Sequence, residues 1–283
     1  EYAACDQEIY QQDIVIHRST GTAYNETAGG LETWHIYVGE HCREDYGDVR
    51  FTNSTGELEY YLWPDYDSSS ARFAVRLDPA DRGGVLAVHY GNLSAATTSN
   101  GGATYWFFDD YSDPATLANY TELYYATWSR LQYKEIANGR LHLGWGGSGY
   151  GSALLYADCP LSSGQFRVEA MFQATGSVSY YRQQKEIGLT TPTTPTYDST
   201  GSSAADFSGF GGTVIAMPGD GGQTAPAGST GHAEYTLDST TRYPGIWIQD
   251  VSSTTLRSEI WIDHILVRAY SAAPPAASTF SGE

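Results

Sequence analysis

Apolar and polar residues alternate with a period of two along most of this chain, and no segment carries a convincing helical stripe. In Gln165–Gln173, Phe166, Val168, Ala170 and Phe172 share one side, while Arg167, Glu169 and Gln173 share the other. Successive side chains of a strand point to opposite faces, so this pattern calls for sheets with one buried and one wetter face. The chain is therefore predicted to be all-β. In the first part, strands are expected at 13–18, 34–38, 49–52, 57–63, 71–77 and 85–90, separated by Gly, Asn, Asp and Pro, as in an antiparallel sandwich. A polar link follows at 92–103. A second set is expected at 140–145, 152–156, 165–173, 185–189, 212–217, 232–237, 245–250 and 259–270, which reads as a two-sheet jelly roll. The Thr/Ser/Pro stretch 190–206 reads as a long loop. Two β-sandwich domains are expected, 1–105 and 106–270, followed by a Pro/Ala/Ser tail at 271–283.

Charge narrows the range of partners. With 33 acidic and 15 basic residues, the formal net charge is -18. Such a surface repels nucleic acid and anionic lipid. It suits solubility, or the binding of cations. No apolar run approaches the roughly 18 residues of a membrane-spanning helix. The sequence opens at Glu1 without methionine, which predicts a mature protein whose targeting segment has been removed. Of six asparagines, Asn25, Asn53, Asn92 and Asn119 begin N-x-Ser/Thr triplets, where chance gives roughly one. N-glycosylation and export are expected, and the chain is placed outside the cell. Three cysteines, Cys5, Cys42 and Cys159, suit an oxidising compartment with one disulfide; Cys5 with Cys42 is the preferred pair because it would tie down the N-terminal segment.

The segment from Cys42 through Asp45-Tyr46-Gly47-Asp48-Val49-Arg50-Phe51-Thr52, the strand ending His89-Tyr90-Gly91-Asn92, and the junction Phe107-Phe108-Asp109-Asp110-Tyr111-Ser112-Asp113 resemble domain of unknown function 2341, found in archaeal and bacterial surface proteins. That resemblance implies a following lectin-like jelly roll of the concanavalin type, opening at residue 106 and closing on 261–270. It brings no established activity. In the glucanase branch of concanavalin-like folds, Glu-x-Asp-x-Glu on one strand presents its acids together. The nearest match here is Glu259-Ile260-Trp261-Ile262-Asp263, in which Trp261 replaces the middle acid. Positions four apart on a strand lie roughly 13 Å apart, too far for a short Asp to complete a retaining pair. No enzyme is expected.

Other chemistry is sparse. The seven histidines show no metal-ligand spacing. Residues 146–151 are glycine-rich without a P-loop lysine. No cofactor is expected beyond a possible structural Ca²⁺ held by Asp109, Asp110 and Asp113. Gly219-Asp220-Gly221-Gly222 is a weaker metal candidate. Tyr60, Tyr61, Trp63, Tyr180 and Tyr181 are candidates for stacking on sugars or filling interfaces.

Two functions follow. The first is a structural subunit of a surface filament or layer, a homopolymer joined by exchanged terminal arms at 1–12, 271–283 or both, with Ile9, Tyr10 and Phe280 as the anchoring side chains. The alternative is a carbohydrate-binding, lectin-like adhesin that meets surface glycans with one jelly-roll face.

Overall fold

The alternation resolves into short and long strands with little helix. A computed structural model describes residues 9–78, 81, 84–124, 131–145, 151–175, 183–192, 214–216, 225–250, 258–270 and 280. The chain divides into unit 1, Glu1–Trp106 with Arg268–Glu283, and unit 2, Phe107–Val267. The first boundary lies one residue from the expected one. The second differs, because Arg268 and Ala269 end a strand of unit 2 yet belong to unit 1.

Unit 1 contains β1 (Tyr10–His17), β2 (Tyr24–Ala28), β3 (Leu31–Tyr37), β4 (Arg50–Thr52), β5 (Tyr60–Leu62), β6 (Ser70–Leu77) and β7 (Ala87–His89). One sheet runs in the order β2-β3-β1-β6-β5, and β4 pairs with β7 in a separate ribbon. The pairing is not wholly antiparallel as expected: β1 and β3 are parallel. The reason lies in β2, which the sequence pattern did not reveal. It takes the sheet edge and turns back through Gly29-Gly30, both at positive φ (56° and 74°), so that β3 enters between β2 and β1. Two consecutive residues at positive φ make the tight turn that matches strand twist.

Core residues of unit 1 include Ile14, Ile16, Trp34, Phe51, Tyr60, Phe73 and Val75. Tyr60 and Trp63, candidate ligand aromatics by sequence, are only 1% and 3% exposed, so both are core side chains and not recognition residues. Tyr61 is half-buried, and Tyr180 and Tyr181 lie outside the described residues.

The Cys42–Phe51 segment is architectural. Arg43 Nη1 donates to the carbonyls of Leu93 (3.3 Å) and Ala95 (2.7 Å). Arg50 donates to the carbonyls of Gly47, Val49 and Ala96 and to Tyr60 Oη. Buried Asp48 accepts from the N–H of Arg43 (3.0 Å) and of Gly91 (2.7 Å). These bonds satisfy loop backbone that a sheet cannot pair. Between them sits Tyr46, fully buried at φ 52°, with its hydroxyl pushed up to about 12, first by burial. The link expected at 92–103 carries a short helix, α1 (Gly101–Thr104), capped by the Asn100 side chain.

Unit 2 contains β8 (Phe107–Asp109), β9 (Tyr120–Tyr124), β10 (Tyr133–Ala137), β11 (Arg140–Trp145), β12 (Gly151–Ala157), β13 (Leu161–Thr175), β14 (Gln183–Thr190), β15 (Ile215–Ala216), β16 (Ala225–Asp250) and β17 (Ser258–Ala269). The two strands expected at 232–237 and 245–250 are one. The first part of β16 pairs with β13, ending at Leu161↔Arg242, and the second pairs with β12 and β14 from Tyr243 onward. Asp238–Arg242 reads as a turn because it is polar, yet it is the exposed stretch of strand that passes from one layer to the other. Unit 2 is thus a two-layer antiparallel sandwich. One layer runs β10-β11-β17-β13-β16, and the other is β14-β16-β12-β9 with β15 beside β14. Its interior holds Leu141, Leu143, Phe166, Val168, Ile187, Ile246, Ile248, Ile260 and Ile262, each 3% exposed or less.

Candidate functional site

Asn138-Gly139 joins β10 to β11 in a hairpin with both residues at positive φ (56° and 68°) and Ala137 opposite Arg140. This is the Asn-Gly signal for a two-residue turn. Leu141 and Leu143 of β11 stand opposite Ile262 and Ile260 of β17, all fully buried. Alternation therefore turns Arg140, His142, Glu259, Trp261 and Asp263 to the other face, joined from β10 by Tyr133 and Glu135.

On that face three rings line up across three strands. The His142 imidazole stacks on the Trp261 indole with centroids 3.7 Å apart and planes 4° from parallel. Tyr133 stacks on the other side of His142 at 4.9 Å and 18°. Carboxylates flank the imidazole: Glu135 Oε1 is 3.1 Å from Nδ1, and Glu259 Oε2 is 3.7 Å from Nε2. His142 is only 5% exposed, and its Nε2 makes no hydrogen bond. Arg140 spans the end of the row. It grips Asp263 in a fork (Nε–Oδ1 3.0 Å, Nη2–Oδ2 3.1 Å), donates to Gln173 Oε1, and lies 5.7 Å from the Trp261 ring centre. Further along, Arg167 bridges Glu169 (3.1 Å) and Glu234 (3.4 Å). Glu135, Glu169, Glu234, Glu259 and Asp263 outnumber the two guanidinium groups, so the face is acidic with fixed donors and a flat aromatic row.

Glu259 and Asp263 thus share a face, as their spacing requires. Asp263 is held by Arg140 and Glu259 lies beside His142, with Trp261 between them. Tyr133, Arg140 and His142 were not singled out by the sequence. The Asn-Gly turn between two alternating runs was the available signal.

Asp109, Asp110 and Asp113 each accept from a backbone N–H in their own turn: Tyr111 (2.9 Å), Ser112 (3.1 Å) and Ala115 (2.9 Å). Asp109 also accepts from the hydroxyls of Tyr120 (3.1 Å) and Thr116 (3.3 Å), and burial pushes its carboxyl up. The desolvated Tyr111 and Tyr120 hydroxyls are pushed well up in the same cluster. Among the described residues, no group of three or more His, Cys, Asp or Glu side chains is arranged to hold a metal ion. Gly219–Gly222 lies outside them.

Cys42 is a buried free thiol pushed up by burial and then by Asp48; Cys159 is half-buried and its thiol is pushed up by burial and then by Asp158; Cys5 lies outside the described residues. Ile9 is half-buried, and Phe280 is exposed. Tyr10, expected in an exchangeable arm, opens β1, pairs with Leu77 and is 3% exposed. Residues 10–12 complete their own sheet, because β6 already satisfies their backbone. Asn92 and Asn119 are exposed, Asn25 is half-buried in β2, and Asn53 is held in a turn.

Residues 45–130 match the model of a domain of unknown function, DUF2341. The match begins well inside the expected first domain and runs past its end into unit 2. No curated protein sequence matches the chain. Among solved structures, it is similar to BiXyn10A CBM1 in its apo form (8% identity, TM-score 0.34, covering 58% of this chain and 97% of that one). It is likewise similar to the potassium-bound carbohydrate recognition domain of Emp46p (14%, 0.34, 58% and 95%). A third is a family 29 carbohydrate-binding module (14%, 0.27, 58% and 89%). No helix among the described residues is long and apolar enough to cross a membrane.

Proposed function

We propose that this chain is a glycan-binding module of an exported surface protein and that it binds through the β10-β11-β17-β13 face. The observation carrying this reading is the row Tyr133–His142–Trp261, set on a rigid apolar underside and bordered by Arg140, Gln173 and five carboxylates. Sugars present C–H patches that pack on aromatic carbon and hydroxyls that both donate and accept. Such a face meets both needs with groups already held in place, which lowers the ordering cost of binding. Its acidic excess disfavours uronic and sialic acids and favours neutral or amino sugars.

A glycan panel probed with the purified chain tests this. Neutral glycans should bind saturably, and Trp261→Ala should weaken binding at least about 30-fold, the scale of an aromatic anchor. No binding across the panel, or an unchanged affinity in Trp261→Ala, would overturn the reading. The sequence also predicts assembly through exchanged arms. That expectation finds no support in Tyr10, whose backbone is paired within its own unit.

A further inference from the structure

We infer that the other layer of unit 2 carries a second binding site, for a small molecule bearing a primary ammonium group. It stands on different residues from the glycan face and does not depend on it.

In this layer, Trp247 of β16 lies between Leu154 of β12 and Glu186 of β14, and the adjacent row sets Gln249 opposite Ser152. Cross-strand partners share a face. Ile187, Ile246 and Ile248 alternate with these residues and turn into the sandwich interior, so Trp247, Glu186, Gln249 and Ser152 occupy the opposite side. There Trp247 and Leu154 form an apolar cluster of their own with Leu123 and Val214. Trp247 Nε1 donates to Ser152 Oγ at 2.7 Å, which fixes the indole plane.

Two atoms beside the indole have no counterpart. Glu186 is 2% exposed and Gln249 is 1% exposed, yet Glu186 Oε2 and Gln249 Oε1 accept no hydrogen bond. Buried acceptors left in this state are rare and call for a reason. No ion pair compensates Glu186 among the described residues. Lys185 turns the other way and donates to the Thr175 carbonyl at 3.1 Å. Burial alone pushes the Glu186 carboxyl up to about 7.

Both orphaned atoms are acceptors, and that selects the ligand. A sugar hydroxyl or an amide brings acceptors as well as donors, and neither orphaned oxygen, as a carboxylate or a carbonyl, can donate to them. An ammonium group brings three donors and no acceptor. It would neutralise Glu186, donate to the Gln249 carbonyl oxygen and lie against the indole face, where cations are held by the ring quadrupole. The net charge of -18 concentrates cations around the molecule.

The test uses ligand-observed saturation-transfer NMR on the full chain in physiological salt. The probes are n-butylammonium (ammonium alone), glucosamine (ammonium on a sugar) and glucose (sugar alone). The expected result is binding of n-butylammonium, with glucosamine showing whether a sugar frame is also accepted. Glu186→Gln should weaken it at least about tenfold. Gln249→Leu provides a second variant that should weaken it as well, and near-UV circular dichroism verifies the fold of each. Failure of n-butylammonium to bind, affinity unchanged in both folded variants, or a glucose signal lost in Glu186→Gln would each overturn the inference.

Discussion

Replacing Arg268 with methionine is the sharpest test of how unit 1 is closed. Arg268 is 1% exposed and Asp13 3% exposed. Its Nη1 donates to both Asp13 oxygens (3.1 and 2.8 Å), and its Nη2 donates to the Gln11 carbonyl at 2.5 Å. The next residue, Ala269, donates its N–H to Gln11 Oε1 at 2.9 Å, and Gln11 Nε2 donates to the Thr104 carbonyl. Arg268→Met would strand the Asp13 carboxylate in a buried site and leave the Gln11 carbonyl without its donor. Removing one partner of a buried pair costs about 3–5 kcal/mol. For a unit of this size that lowers the unfolding midpoint by roughly 10–20 °C. Replacing both partners with apolar residues is near neutral, so Asp13→Leu/Arg268→Met should recover most of the loss. Differential scanning calorimetry on the wild type, both single variants and the double variant completes the cycle. A single-variant loss under about 1 kcal/mol, or a double variant as unstable as the two losses summed, would refute the stranded-charge argument.

Three further outcomes are expected. Peptide mapping after expression in a glycosylating host should find glycans on exposed Asn92 and Asn119 and none on Asn53. The Nδ2 of Asn53 donates to Asp81 and its Oδ1 closes a turn on Thr55 and Gly56; occupancy there with Asn92 bare would contradict this. The folded pKa of Glu186, about 7, lies above its ordinary 4.5, so its burial costs stability as pH rises from the lower value through the upper. Thermal melts of Glu186→Gln from pH 4 to 8 should therefore lose less midpoint over that interval than the wild type, and parallel curves would speak against it. His17 shifts the opposite way. Its Nε2 lies 2.9 Å from His35 Nδ1, and burial and His35 hold its pKa below 6.5, so stability is present above that pH and lost as pH falls through it. Glu26, Tyr24 and Tyr37 face the same pair, and His17→Gln should flatten the acid limb measured by melting.

Strand-period alternation is a local property, because every residue carries its own share of the partition between water and core. Phe166, Val168, Ala170 and Phe172 therefore announced a buried face, and the outward Glu259, Trp261 and Asp263 could be read from the inward Ile260 and Ile262. The all-β class followed from the same signal. Partnership is not local. Nothing in Arg268 names Asp13, 255 residues away, and nothing in Asp238–Arg242 distinguishes a turn from a strand passing between layers. The parallel pairing of β1 with β3 depends on where β2 docks. Stacking of Tyr133, His142 and Trp261 arises only when three strands lie side by side in one register, and the burial of Glu186 only when a sheet encloses it. Side-chain pattern assigned faces; the choice of neighbours across those faces, on which both proposed sites depend, required the folded sheets.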